Sequence, residues 1–361
     1  MKQISKIIAA NIAILTILIL VPAIIAGAIK RTGSSKDQRV QLPSLAKSES
    51  AKTVFNEYKK LPLRYWSFSG WRRKNIEHEF TKIIGKYNTR RSLGKQEYKD
   101  ITAFFGGSTI WGVGVSDSET IPSYFYKINK ETSVVNYGES GWNSRQSLNL
   151  LIDIIGDNNL PKTIIFYDGI NDILGQCRSE IKRIPAHSKE DRFNKKLNAS
   201  FKRAALKKLS ETLIAPYESL IENKQLENID GLYNCDNDKS KPNKIANHMV
   251  NNWYMAYTIA NKLGIDSYFI LQPHAHNTKS NTSYLDFQRN DEKEIKKQLE
   301  IGYEQVKEKI KRKCQEDNDF CSRVIDGTEW LDVNKDIYID NAHINAEGNE
   351  IIAQKIYNHI K

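Results

Sequence analysis

From about residue 99 the chain alternates short apolar runs, bounded by turn residues, with longer stretches of helical spacing. ITAFF (101–105), SVVNY (133–137), TIIFYD (163–168), DSYFILQ (266–272) and SRVID (322–326) are rich in β-branched and aromatic residues and predict buried strands. Helices are predicted between them, over about 120–130, 144–156, 246–263 and 284–313. The chain closes on NAEGNEIIAQKIYNHI, where Ile351, Ile352, Ile356 and Ile360 recur at helical spacing. Strand and helix in this alternation predict an α/β fold with a parallel sheet of about five strands, covered on both faces and joined by right-handed crossovers.

Three segments depart from the pattern. Residues 7–29, IIAANIAILTILILVPAIIAGAI, are uncharged and long enough to span roughly 30 Å of hydrocarbon as a helix. Lys2, Lys6 and the small residues Ala26-Gly27-Ala28 also suit a cleaved signal peptide, so residues 1–30 read as a transmembrane anchor or a signal peptide. Both readings place the rest of the chain outside the cytosol: single-pass in the cell membrane, or secreted if the segment is cut. Residues 31–98 read as a polar linker and an N-terminal extension, whose LPLRYWSFSGWRRK is expected to pack on the main domain or to meet a carbohydrate or membrane. Between the third and fourth strands an insertion, about 178–245, carries Phe193, Leu197, Phe201, Leu209 and Leu213 opposite lysines. It predicts an amphipathic helix that docks on the domain, or serves as a lid or as a surface for an anionic glycan or lipid.

With 40% hydrophobic and 27% charged residues in 361, the chain is neither disordered nor polytopic. Its net charge of +11 favours acidic polymers or anionic headgroups as neighbours, but the lysines are dispersed and no nucleic-acid module is present, so no nucleic-acid partner is expected. Four cysteines, Cys177, Cys235, Cys314 and Cys321, suit two disulfides in an oxidising compartment, with Cys314–Cys321 the favoured pair. Four free buried thiols are the alternative.

Four polar blocks follow the carboxyl ends of the predicted strands, where open α/β sheets place their ligands. Ser108 stands in FGGSTIWG after the first strand, Gly141 in GESGWNS after the second, Asn171 in DGIND after the third, and Asp340 and His343 in DNAH before the last helix. Two glycines before Ser108 allow a sharp turn and close approach to a ligand, although a helix-capping serine would look the same. A serine nucleophile needs a base, an orienting acid and donors for the oxyanion. His343 with Asp340 three residues earlier meets the first two needs. The backbone N–H groups of Ser108 and Gly141 and the side-chain amide of Asn171 are the candidate donors. Asp172 is read as loop support, and Tyr167 and Asp168 as strand-end structure.

The ordered set Ser108, Gly141, Asn171 and His343 resembles the SGNH (GDSL-like) hydrolase superfamily over about residues 99–361. The name-giving Gly-Asp-Ser-Leu reads Gly106-Gly107-Ser108-Thr109 here, similar to a subset with GGST. The resemblance implies a flavodoxin-like three-layer α/β/α fold and ester hydrolysis or acyl transfer without a metal or organic cofactor. Ser108 would be the nucleophile, His343 the base and acid, and Asp340 its orienting partner. GWRRK before the first strand and GINDILGQC after the third look like the membrane-anchored branch associated with bacterial surface polysaccharides.

Rival chemistries fit less well. Neither Ser108 nor Ser140 stands in Gly-x-Ser-x-Gly, as a conventional α/β-hydrolase requires. His274 and His276 lack the partners of a zinc motif and read as a loop after the fourth strand, placed where substrate contact is feasible. Trp111 and Trp142 flank the predicted site and either stack on a sugar ring or pack in the core. The leading expectation is a serine esterase removing O-acyl groups, foremost O-acetyl, from a carbohydrate or cell-surface glycan or another small ester. The alternatives are an O-acetyltransferase fed by a partner membrane protein, and an inactive glycan-binding or assembly protein.

Overall fold

A computed structural model describes residues 37–94, 100–190 and 232–361, with isolated positions 6, 11, 14, 16, 17, 21 and 193. Residues 37–190 and 233–361 form one unit. The apolar 7–29 stretch and the amphipathic part of the insertion lie outside the described residues apart from those isolated positions. Among the described residues no helix is long and apolar enough to cross a membrane.

The chain enters through a 3-10 turn at Gln38–Gln41, helix α1 (Ala51–Lys60) and an antiparallel hairpin of β1 (Leu63–Trp66) and β2 (Gly70–Arg73). Three very short strands follow: β3 (Ile76–Glu77), β4 (Lys82–Ile84) and β5 (Thr89–Arg90). The alternating part begins with β6 (Ile101–Gly106), α2 (Ser108–Trp111), α3 (Ile121–Ile128), β7 (Ser133–Asn136), α4 (Ser144–Gly156), β8 (Thr163–Asp168) and α5 (Ile170–Cys177). After the insertion it continues through α6 (Ser240–Lys262), β9 (Asp266–Leu271), α7 (Asn290–Glu316), α8 (Asn318–Cys321), β10 (Val324–Asp326) and α9 (Ala346–Ile360).

One mixed sheet holds eight of these strands in the order β10-β9-β8-β6-β7-β5-β4-β3. The first five are parallel and the last three antiparallel. The five parallel strands fall where the apolar runs placed them. The expectation of about five strands is corrected to eight, because the N-terminal extension supplies β3 to β5. At two or three residues each, these strands are too short to show a period in the sequence.

Alternation along the parallel strands builds a core on each face. Phe104 joins Ile165, Ile270, Phe125 of α3 and Ile352 and Ile356 of α9 in one cluster. Its neighbour Phe105 stacks on Phe166 at 5.0 Å, and Phe166 meets Phe269, which packs against Trp253 of α6 on the opposite face. Continuous apolar strands are the signature of a sheet covered twice. The first parallel strand in chain order, β6, lies between β7 and β8, so the chain reverses direction across the sheet at β6 and β8. That crevice is where a ligand is expected.

Both disulfides form. Cys314–Cys321 closes the end of α7 onto α8, and Cys177–Cys235 joins residues 58 apart at the two ends of the insertion. The extension packs on the domain rather than standing off it. Trp71, Arg72 and Arg73 are buried, while Tyr65 and Phe68 at the hairpin end are 70% and 82% exposed.

Candidate active site

Ser108 is the first residue of α2, directly beyond β6. Its N–H therefore points out of the helix start without an intrahelical acceptor. The two glycines before it do separate work. Gly106 has φ +153°, and a Cβ there would lie 2.5 Å from the Tyr167 carbonyl on β8. Gly107 has ordinary extended backbone, but a Cβ there would lie 2.1 Å from Asn171 Nδ2. One glycine turns the chain, and the other leaves room for a neighbouring amide.

The partners arrive from a tight loop before α9. Tyr338 and Ile344 pair as an antiparallel bridge, and Ile339 N–H donates to His343 O, so residues 339–343 fold back on themselves. Asp340 shapes this turn: its Oδ1 accepts from the N–H groups of Ala342 at 2.9 Å and His343 at 2.7 Å. The same carboxylate meets His343 Nδ1 at 2.7 Å through Oδ2, and His343 Nε2 lies 2.7 Å from Ser108 Oγ. Burial opposes the charge on Asp340, but His343 and the hydrogen bonds from His343 and Ala342 outweigh it, holding the carboxyl well below its usual range. A permanently ionised Asp340 keeps the proton of a neutral imidazole on Nδ1, leaving Nε2 as an acceptor toward Ser108. The side chains of His343 and Asp340 remain 18% and 27% exposed, so the group opens to solvent.

Of the candidate oxyanion donors, Asn171 lies against Gly107, the residue before Ser108. Asn171 is the second residue of α5, and its Nδ2 donates to Trp142 O at 2.8 Å, which leaves the second amide hydrogen for another acceptor. Gly141 has φ +79°, and a Cβ there would touch Trp71 and Ser188 at 3.5 and 3.6 Å.

The loop bearing Gly141 is held by a residue that the sequence reading did not single out. Glu139 is fully buried; its Oε2 accepts from Arg73 N–H, its Oε1 accepts from Ser140 N–H, and its carboxylate pairs with the Arg73 guanidinium. That guanidinium lies over the rings of Trp111 and Tyr58 at 4.4 and 4.7 Å. Removing the cation leaves a buried carboxylate unpaired, so Arg73→Met is expected to cost about 3–5 kcal/mol in urea unfolding. A loss below about 1 kcal/mol, the range of exposed pairs, would contradict that reading. The signal was present in GWRRK and GESG, but nothing local in either stretch pairs them.

The side chains of the other candidates point elsewhere into the domain. Trp111 and Trp142 are 2% and 1% exposed and present no open face to a sugar, which corrects the expectation of substrate stacking. Trp142 donates its indole N–H to Trp71 O beneath Arg72, and Trp111 is covered by Arg73 and Arg90. Asp172 accepts from Ser144 N–H and Oγ–H at the start of α4, and burial pushes its carboxyl up to about 6. Asp168 is held well above the usual range by burial and by Asp172, and accepts from the Trp253 indole. Both bind the layers together. His274 is buried against Tyr303, with its pKa pushed down to about 3 by burial, and His276 lies 3.1 Å from Glu292. Among the described residues no three His, Cys, Asp or Glu side chains are grouped to hold a metal ion.

The model of the GDSL-like lipase/acylhydrolase family matches residues 101–356. No curated protein matches. Among solved structures, a member of the lipolytic G-D-S-L family from Veillonella parvula is 13% identical with a TM-score of 0.38, over 72% of this chain and 96% of its own. A GDSL-like lipase from Bacteroides thetaiotaomicron is 14% identical with a TM-score of 0.36, over 72% and 86%. An acetyl xylan esterase is 13% identical with a TM-score of 0.34, over 72% and 100%. The family match runs from the first parallel strand into the last helix and takes in all four polar blocks: the chain belongs to the GDSL-like lipase/acylhydrolase family.

Proposed function

We propose that this protein is a serine esterase that removes O-acetyl groups from a carbohydrate through an acyl-enzyme on Ser108. The observation that carries the reading is the unbroken line of hydrogen bonds from Ser108 Oγ through His343 to Asp340. In the first step Ser108 Oγ attacks the acyl carbon while His343 Nε2 takes the hydroxyl proton. The oxyanion is held by the N–H groups of Ser108 and Gly141 and by the free hydrogen of Asn171 Nδ2. Collapse breaks the bond to the sugar oxygen, which leaves with the proton from His343. Water then attacks the acyl carbon, gives its proton to His343, and acetate departs as Ser108 Oγ is reprotonated. Asp340 keeps its charge throughout and stabilises the imidazolium.

The choice of a glycan ester rests on the likeness of GWRRK and GINDILGQC to the polysaccharide-associated branch, and the net charge of +11 favours an acidic polymer. An apolar 7–29 segment and two disulfides support a setting outside the cytosol, with the domain tethered at the membrane. The test is acetate release by the purified full-length chain from O-acetylated polysaccharides, beside p-nitrophenyl acetate. Acetate released faster from the glycan than from its deacetylated control with added small ester supports the reading. Acetyl groups appearing on an added glycan without net hydrolysis would replace it with a transferase.

A further inference from the structure

Asp340 has a second partner, a cation, that lies outside the residues matched by the family. Arg39, on the 3-10 turn Gln38–Gln41, donates from Nη1 to Asp340 Oδ2 at 2.9 Å. The rest of its fork is occupied: Nε and Nη2 each donate to the Asp37 carboxylate at 3.0 Å. Its guanidinium lies 4.5 Å over the Phe55 ring. The arginine is thus aimed by one carboxylate, seated on one ring, and left with a single donor for the other carboxylate. Nearby, Asn345 Nδ2 donates to Ser44 O at 2.8 Å, so residues 37–44 and the loop carrying Asp340 and His343 are tied at two points.

We propose that Arg39 is a positioning residue for the Ser108–His343–Asp340 group, fixing the Asp340 carboxylate so that the segment joining the apolar N-terminus to the domain completes the active site. This rests on the serine-esterase reading above. The carboxylate then receives donors on both oxygens: Ala342 and His343 N–H on Oδ1, and His343 Nδ1 and Arg39 Nη1 on Oδ2. Without Arg39, Oδ2 loses one of its two donors and the carboxylate plane is free to turn about the remaining contacts. A reacting constellation must be held within about 0.5 Å, and misplacement by about 1 Å costs up to about 10²-fold in rate. A loss nearer tenfold is expected where three of four donors survive.

The test uses the full-length chain, with the rate of Ser108 labelling by a fluorophosphonate and kcat on p-nitrophenyl acetate as readouts. Arg39→Gln is expected to slow both by about tenfold with KM unchanged, and Arg39→Lys, which keeps the cation but loses the fork on Asp37 and the stack on Phe55, to recover only part of the loss. In an Asp340→Asn background the same Arg39→Gln change is expected to cost less than about twofold, since the interaction it removes is already gone. Wild-type rates in Arg39→Gln, no recovery in Arg39→Lys, or the same loss in both backgrounds would overturn the inference while leaving the serine reading intact. Wild-type labelling no faster than Ser108→Ala would overturn both.

Discussion

Ser108→Ala is expected to lower kcat for ester hydrolysis by at least about 10⁴-fold, and His343→Ala by a similar factor. The two groups act as one unit, 2.7 Å apart, so the double variant should be no worse than either single one. A weak remainder above the water rate is expected in all three, because the oxyanion donors and substrate contacts persist. Purified variants compared by initial rates on p-nitrophenyl acetate check this, with thermal unfolding to show that the fold is retained. Multiplicative losses in the double variant would mean that the two residues act in separate steps.

The second large effect is expected from the smallest substitution. Gly107→Ala adds one methyl group where φ is −83° and ψ −150°, in the negative-φ half of the map that L residues occupy. The obstacle is space: the new carbon would lie 2.1 Å from Asn171 Nδ2 and 3.2 Å from Trp142 O. Asn171 must swing out, taking its amide from the Trp142 carbonyl and from the oxyanion position together. Loss of one such donor costs about 10²–10³-fold in kcat, so Gly107→Ala should match Asn171→Ala, and combining them should add nothing. Activity close to wild type in Gly107→Ala would show that Asn171 is not a donor to the reaction. This also explains two glycines before one hydroxyl: Gly106 lets the strand turn beneath Tyr167, and Gly107 makes room for the amide.

Much of this could be read in the sequence because each signal was local. ITAFF, TIIFYD and DSYFILQ are apolar runs of strand length, rich in β-branched and aromatic residues, and they became β6, β8 and β9 within a residue. The helix expected at 144–156 is α4, with Asn143 capping it by accepting from Gln146 N–H. Asp340 and His343 stand three residues apart, so one turn brings them together, and the sheet order carries Ser108 to the same crevice.

What was not legible depends on distant partners. Arg39 sits in a stretch that reads as linker, and its ion pair to Asp340 spans 301 residues. Arg73 and Glu139 are 66 apart and each belongs to an ordinary-looking motif. The tryptophans were misleading for a related reason. Their proximity to Ser108 and Gly141 in sequence suggested substrate contact, whereas three buried arginines, Arg72, Arg73 and Arg90, cover their rings. Periodicity could not reveal β3 to β5, strands of two or three residues, of which β5 pairs with β7 and β4 and β3 are added in turn.

The central claim is that Ser108 carries the acyl group. Its most direct test is to quench the full-length chain during turnover of an acetyl ester and locate the acetyl group by peptide mass mapping. An acetyl on the peptide containing Ser108, absent from Ser108→Ala, is the result expected of an acyl-enzyme. Continued hydrolysis with acetyl groups only elsewhere, or undiminished turnover by Ser108→Ala, would contradict it.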